Sequence, residues 1–159
     1  MATAATPLRA TGTAELLKFS YVALSVEASQ LAPLSVGLEE ILGEDYAELK
    51  ANRDARDGEG RYHMTAIEPR EFRKLSKELK AQGRRLELPQ GPIELEILGI
   101  GTAESGNSQT WFAVCRSEAV AAWRSALELP PKDLHITLAF GAGGDVHGVA
   151  KGVSSLIAA

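Results

Sequence analysis

Two apolar, strand-like segments of this chain each carry one His and one Thr within their hydrophobic pattern. The first covers 62–67 (YHMTAI) and the second 134–140 (LHITLAF), and in both the Thr follows the His by two positions. Successive side chains of a strand point to opposite faces, so each His shares a face with its Thr while the apolar neighbours point into a core. The pattern therefore predicts that His63 and Thr65 lie together on one strand, and His135 and Thr137 on another.

Alternation and helical spacing elsewhere in the chain predict a mixture of strands and helices. Besides the two histidine strands at 61–67 and 132–140, strands are expected at 21–27, 93–100 and 110–115. Helices are expected at 34–50 with a break near Gly43, at 69–82 beginning at Pro69, and after the N-cap Ser117. A charged surface loop is expected at 52–60, a turn at 103–108, and a short apolar segment at 153–157.

The order of these elements repeats roughly once. A strand, a helix and a histidine strand occur over 21–67 and again over 110–140, with His-x-Thr at the same place in each half. This order predicts two His–Thr pairs in symmetric positions across one cleft. The Ala- and Thr-rich residues 1–17 are predicted to be a flexible N-terminal segment, followed by a single domain at 18–159.

Composition and charge narrow the classes of function. The formal net charge of −4 argues against a broad surface for nucleic-acid phosphates, but it is compatible with a small phosphorylated ligand or the end of a polynucleotide. Cys115 is the only cysteine and cannot form an internal disulfide bond. With no signal-peptide pattern and no apolar run as long as a membrane span, we expect a cytoplasmic protein without a membrane partner, and a monomer.

Two histidines facing one cleft suit acid–base catalysis. An unperturbed imidazole titrates at about pH 6.5, so one ring can be neutral while the other is protonated. One His could activate water and the other could protonate a leaving oxygen, while the Thr hydroxyls donate hydrogen bonds to the remaining oxygens of a phosphodiester. This chemistry requires no metal and no other cofactor.

The sequences HMTA at 63–66 and HITL at 135–138 resemble the 2H phosphoesterase superfamily, which is named for two H-x-[ST]-x motifs. The resemblance covers about 21–140. It implies an α+β fold that is bilobal and pseudo-symmetric, with two mainly antiparallel sheets forming a central cleft and helices outside. It also implies a phosphodiesterase that acts, typically without metal, on 2′,3′-cyclic phosphates or 2′-5′ linkages of RNA ends or small nucleotides. On this resemblance His63 and His135 are the general acid and base, and Thr65 and Thr137 hold phosphate oxygens.

The second motif continues as HITLAFG, with DVHG shortly after, and is most similar to the branch found in multidomain Swiss army knife RNA-repair proteins. Ala66 follows Thr65 where the RNA-ligase-like branch has an aromatic or bulky residue, so the sequence does not identify a base-stacking partner. Tyr21, His147 and Lys151 are further candidate substrate contacts, although each also fits a packing or surface role.

Two other functions remain open at this stage. The first is a module that binds RNA ends or cyclic nucleotides without turnover, because binding needs only the donors of the cleft. The second is a metal hydrolase that uses His63, His135, His147 and Asp145. These residues lack the close spacings that are typical of such ligand sets.

Overall fold

A computed structural model describes residues 7–158 of the chain. The strands in that range are β1 (Leu8–Leu17), β2 (Tyr21–Glu27), β3 (Arg61–Ile67), β4 (Ile93–Ser105), β5 (Ser108–Arg116), β6 (Leu134–Phe140) and β7 (Leu156–Ala158). The α-helices are α1 (Ala32–Leu42), α2 (Tyr46–Asp57), α3 (Pro69–Ala81) and α4 (Glu118–Ala126). β2 and β3 have the predicted bounds, whereas β4 is longer than predicted and shortens the turn expected at 103–108 to two residues.

The described strands form one antiparallel sheet in the order β1-β2-β3-β6-β5-β4-β7. Because β1 also pairs with β4, the strands from β1 to β6 close on themselves. The two separate sheets expected from the resemblance are therefore joined into one, with β1 connecting β2 to β4. The predicted order of strand, helix and histidine strand does occur twice, as β2-α1-α2-β3 and as β5-α4-β6.

β1 occupies residues that the sequence assigned to a flexible segment. It pairs with β2 from Gly12 to Leu17 and with β4 from Leu8 to Gly12. Its buried positions are Ala10 and Gly12, and a Cβ atom on Gly12 would lie 2.9 Å from Cβ of Leu24, so small residues permit this close approach. The prediction of flexibility is wrong for 8–17 because such small residues carry little hydrophobic signal. Residues 1–6 lie outside the described residues.

α2 continues to Asp57 and replaces most of the loop predicted at 52–60. Its charged residues form ion pairs one turn apart, Lys50 with Asp54 at 2.5 Å and Arg53 with Asp57 at 3.6 Å. Arg53 is fully buried, and its guanidinium carbon lies 3.8 Å from the centroid of the Tyr62 ring. This segment is therefore a packed helix rather than a solvated loop. No helix within 7–158 is long and apolar enough to cross a membrane.

The largest apolar cluster covers the face of β3 and β6 that lies opposite their histidines. Met64 and Ile136 are fully buried in it, together with Leu24 of β2 and Leu38 of α1. The alternation predicted from the sequence is thus confirmed for the apolar neighbours of the two histidines. The other face of these two strands is left for polar side chains.

α4 begins at the predicted N-cap Ser117, whose hydroxyl oxygen accepts a backbone N–H of the first turn. Arg124 of this helix is 3% exposed and donates to both carboxylate oxygens of Glu71 in α3. It also donates to the carbonyl oxygens of Ala66 and Pro130. One arginine therefore ties the end of β3 to the segment that leads into β6, and so holds the two histidine strands in position.

Candidate active site

The two histidine strands lie side by side. β3 and β6 pair antiparallel, with Met64 opposite Ile136. An antiparallel register continued from this contact would place His63 opposite Thr137 and Thr65 opposite His135. In such a register directly opposite Cβ atoms are about 5 Å apart and diagonal ones about 7–8 Å apart, so one small group would be within reach of both imidazoles.

These four side chains line a single cleft of about 790 Å³. The further contacts suggested by the sequence, Tyr21, His147 and Lys151, line the same cleft. The structure therefore brings together every site residue that the sequence analysis predicted. Thr137 is 8% exposed and Lys151 is 7% exposed, whereas His147 is exposed at the surface of the cleft.

The environment of His63 contains charges of both signs. Its imidazole centroid lies 6.2 Å from that of the Tyr21 ring. Burial lowers the pKa of His63 below its usual 6.5, the carboxylate of Asp57 acts in the opposite direction, and the charge of Arg56 lowers the pKa further. Asp57 is therefore the group that most favours a proton on His63.

His135 lies in a more strongly perturbing environment. The edge of its ring faces Phe112, with the centroids 5.6 Å apart. Burial lowers the pKa of His135 to about 3, and the charges of Lys151 and Lys132 act in the same direction. This imidazole is therefore neutral at neutral pH, and a neutral imidazole has one nitrogen that accepts a proton.

Asp145 organises the cations beside the histidines. It accepts hydrogen bonds from the hydroxyl of Thr110 at 2.9 Å, from Nζ of Lys151 at 3.3 Å and from Nη1 of Arg56. Burial alone would raise the pKa of Asp145, but the hydrogen bond from Arg56 and the charge of Lys151 hold it below its usual range. An ionised Asp145 therefore fixes two cations at the cleft.

Lys151 holds its charge close to His135. Its Nζ lies 5.7 Å from the centroid of the Phe112 ring, the same ring that contacts His135. Burial lowers the pKa of Lys151, while the neighbouring Asp145 favours its charged form. An ammonium group in this position would attract an anion bound between the histidines.

α2 contributes two cleft residues that the sequence analysis missed, Arg56 and Asp57. Arg56 donates through Nε and Nη2 to the two carboxylate oxygens of Asp57 at 2.7 and 2.8 Å. Its guanidinium carbon also lies 4.9 Å from the centroid of the Phe140 ring at the end of β6. The four-residue spacing of opposite charges in 50–57 was the signal that could have extended the helix and placed these residues.

Catalysis by a metal ion and catalysis by a cysteine find little support in the described residues. Within 7–158 no three His, Cys, Asp or Glu side chains form a group that could hold a metal ion. Asp145, one of the alternative metal ligands, is instead engaged by Thr110, Lys151 and Arg56. Burial raises the pKa of Cys115 to about 12, so this thiol is not an activated nucleophile.

Comparison with protein families gives a match over residues 20–147 to the Swiss Army Knife, 2H phosphoesterase domain. Comparisons with curated proteins and with solved structures give no match. The matched residues include both His-x-Thr motifs and the strands that bring them into one cleft. This chain therefore belongs to the 2H phosphoesterase superfamily, in its Swiss Army Knife branch.

Proposed function

We propose that this protein is a metal-independent phosphodiesterase that hydrolyses a 2′,3′-cyclic phosphate or a 2′-5′ linkage at RNA ends or in small nucleotides. Membership of the superfamily supports a phosphoesterase activity. The observation that carries the finer assignment is the pairing of Met64 with Ile136, because it turns both His–Thr pairs toward one cleft. Hydrolysis of a phosphodiester needs a base, an acid and donors to the non-bridging oxygens, and these side chains offer that set.

In this proposal His135 is the general base and His63 is the general acid. The pKa of His135 is about 3, which makes the ring a weak base but keeps it neutral at neutral pH, so that one ring nitrogen can accept a proton. Asp57 favours the protonated form of His63, whereas the lysines beside His135 disfavour a proton there. The two environments thus push the two imidazoles toward different roles.

The reaction uses one water molecule for each phosphodiester bond. His135 takes a proton from the water molecule while the water oxygen forms a bond to phosphorus. His63 gives a proton to the ribose oxygen while the bond between this oxygen and phosphorus breaks. Thr65 and Thr137 donate hydrogen bonds to the non-bridging oxygens, and Lys151 contributes positive charge. Exchange with solvent then removes the proton from His135 and returns one to His63.

The test is a hydrolysis assay in the presence of a chelator. The panel contains nucleoside 2′,3′-cyclic phosphates, 2′-5′ oligonucleotides and cyclic dinucleotides. His63→Ala or His135→Ala should lower kcat by about 10²- to 10⁴-fold, and the double variant should be little worse than either single one, because acid and base act as a unit. His147→Ala is the matched comparison, since this third histidine is exposed in the same cleft, and its loss should appear in KM rather than kcat.

Variants of the two threonines distinguish hydrogen-bond donors to the phosphate from the acid and the base. Thr65→Val or Thr137→Val removes one hydrogen bond to an anion, worth about 1.5–3 kcal/mol, so measurable turnover should remain. Purified histidine variants with wild-type rates on every substrate would contradict acid–base catalysis by these residues. Nucleotide binding without any turnover by the wild-type protein would instead favour the binding module, and activity that is lost with the chelator would favour a metal hydrolase.

A further inference from the structure

The tip of the β1–β2 hairpin exposes a phenylalanine in a backbone conformation that this residue rarely adopts. Phe19 is 89% exposed. Lys18 and Phe19 have φ angles of 52° and 53°, and the backbone N–H of Ser20 donates to the carbonyl of Leu17. Positive φ at both central residues is the geometry of a type I′ turn, in which Asn and Gly are the usual residues. Local turn geometry therefore does not explain Lys-Phe at this tip, and strained positions of this kind point to a function.

The hairpin tip borders the cleft that contains the histidines. Lys18 lines that cleft, and so do Arg70 and Arg73 from the first turns of α3. α3 packs directly against the hairpin, because Val22 of β2 and Leu75 of α3 belong to one apolar cluster. Phe19 does not itself line the cleft, but it is the chain neighbour of Lys18, which does. We call Lys18, Phe19, Arg70 and Arg73 the rim of the cleft.

The cations of this rim differ from those near the histidines in their pairing. The inner cations are each paired with a carboxylate: Arg56 with Asp57 and Asp145, Lys132 with Glu68, and Lys151 with Asp145. In contrast, Lys18, Arg70 and Arg73 have no ion-pair partner among residues 7–158. In a chain with a net charge of −4, three unpaired cations along one rim indicate an anionic partner that extends beyond a single phosphate.

We propose that Phe19 stacks on a base of a single-stranded oligonucleotide whose terminal phosphodiester lies between the histidines. Lys18, Arg70 and Arg73 then contact the backbone phosphates of the same strand. Sites for single strands typically combine cations that follow the backbone with exposed aromatic rings on which bases stack. This inference rests on the proposed function and narrows the substrate to the end of an oligonucleotide. A free cyclic mononucleotide has one base and one phosphate, so it has no second base for Phe19 and no backbone phosphates for the three cations.

The first experiment measures binding and does not depend on catalysis. The probe is a fluorescent single-stranded oligoribonucleotide of about eight nucleotides with a plain 3′-phosphate, followed by anisotropy. Phe19→Asn removes the ring but suits a turn with positive φ, so the variant should be at least as stable as the wild type. Its affinity for the probe should fall by about 5- to 100-fold, the range for loss of one base–aromatic stack.

Matched variants distinguish the effect of losing the Phe19 ring from the effect of changing any exposed side chain. Phe19→Trp keeps an aromatic surface and should retain the affinity. Val36→Ala shortens another exposed apolar side chain, 60% exposed on α1, and should leave the affinity unchanged. Arg70→Gln or Arg73→Gln should each reduce the slope of log affinity against log salt concentration by about 0.7, the value for one contact to a single strand.

The second experiment compares kcat/KM for a cyclic mononucleotide and for an oligonucleotide that ends in the same cyclic phosphate. Phe19→Asn should leave the first value unchanged and lower the second by the factor seen in binding. If the wild-type protein hydrolyses neither compound, the proposed hydrolysis of cyclic phosphates fails, while the binding experiment still decides this inference. Equal affinity of wild type and Phe19→Asn for the probe overturns it, which is also the result expected if the ring serves a protein or lipid partner.

Discussion

Acid should destabilise this fold through the imidazole of His135. Burial, with Lys151 and Lys132 nearby, lowers the pKa of this ring from 6.5 to about 3. Between these values the unfolded chain carries a proton on His135 and the folded chain does not, so stability falls as the pH drops below 6.5. The slope rises to at most about 1.4 kcal/mol per pH unit, so the total fall between about pH 7.5 and about pH 4.5 amounts to ~2.7 kcal/mol.

Urea unfolding followed by tryptophan fluorescence measures this loss, with His135→Gln as the reference protein. Both proteins are compared at about pH 7.5 and about pH 4.5. Carboxylates of the unfolded chain begin to take up protons at the lower pH, but they do so in both proteins and their contribution cancels in the comparison. The wild type should lose about 2–3 kcal/mol more stability than His135→Gln over this interval. Since only the difference between the two pH values is used, any constant effect of the substitution cancels. An identical pH dependence in the two proteins would refute a buried, neutral His135.

Two further substitutions test the carboxylate beside His63 and the hydrogen bonds made by Arg124. Asp57→Asn removes the carboxylate that favours a proton on His63, so the pKa of His63 should fall and the alkaline limb of kcat/KM should move to lower pH. A pH–rate profile shows this directly, and an unmoved limb would contradict the assignment of His63 as the acid. Arg124→Met leaves Glu71 and the carbonyl oxygens of Ala66 and Pro130 without this donor, so the free energy of unfolding should fall by about 3 kcal/mol or more in chemical denaturation. A loss below about 1 kcal/mol would mean that the arginine does not hold the histidine strands together.

The histidine strands were predictable because their signal is local. β3 has the predicted bounds, and alternation within it already separates His63 and Thr65 from their apolar neighbours. Alternation does not determine which strand is the neighbour or in what register it pairs. A shift of one residue would turn a whole set of side chains to the other face, so the contact of Met64 with Ile136 had to come from the fold.

The charged part of the site could not be predicted in the same way. Arg56 and Asp145 are 89 positions apart, and their hydrogen bond joins α2 to the segment after β6. Residues 52–60 have the composition of a loop, and what makes most of them helical is the burial of Arg53 against Tyr62. β1 was missed for the opposite reason, because its buried residues are too small to give an apolar pattern. In both places tertiary packing decides the structure, and the pattern of apolar residues does not show it.

The charges of the cleft indicate how two similar imidazoles take different roles. The pKa values of both His63 and His135 are lowered, so neither ring readily holds a proton. A bound phosphodiester brings a negative charge, which favours a proton on a neighbouring imidazole. At His135 this gain is opposed by Lys151 and Lys132, whereas at His63 it adds to the effect of Asp57. A bound phosphodiester would therefore favour a proton on His63, the proposed acid, and leave His135, the proposed base, unprotonated.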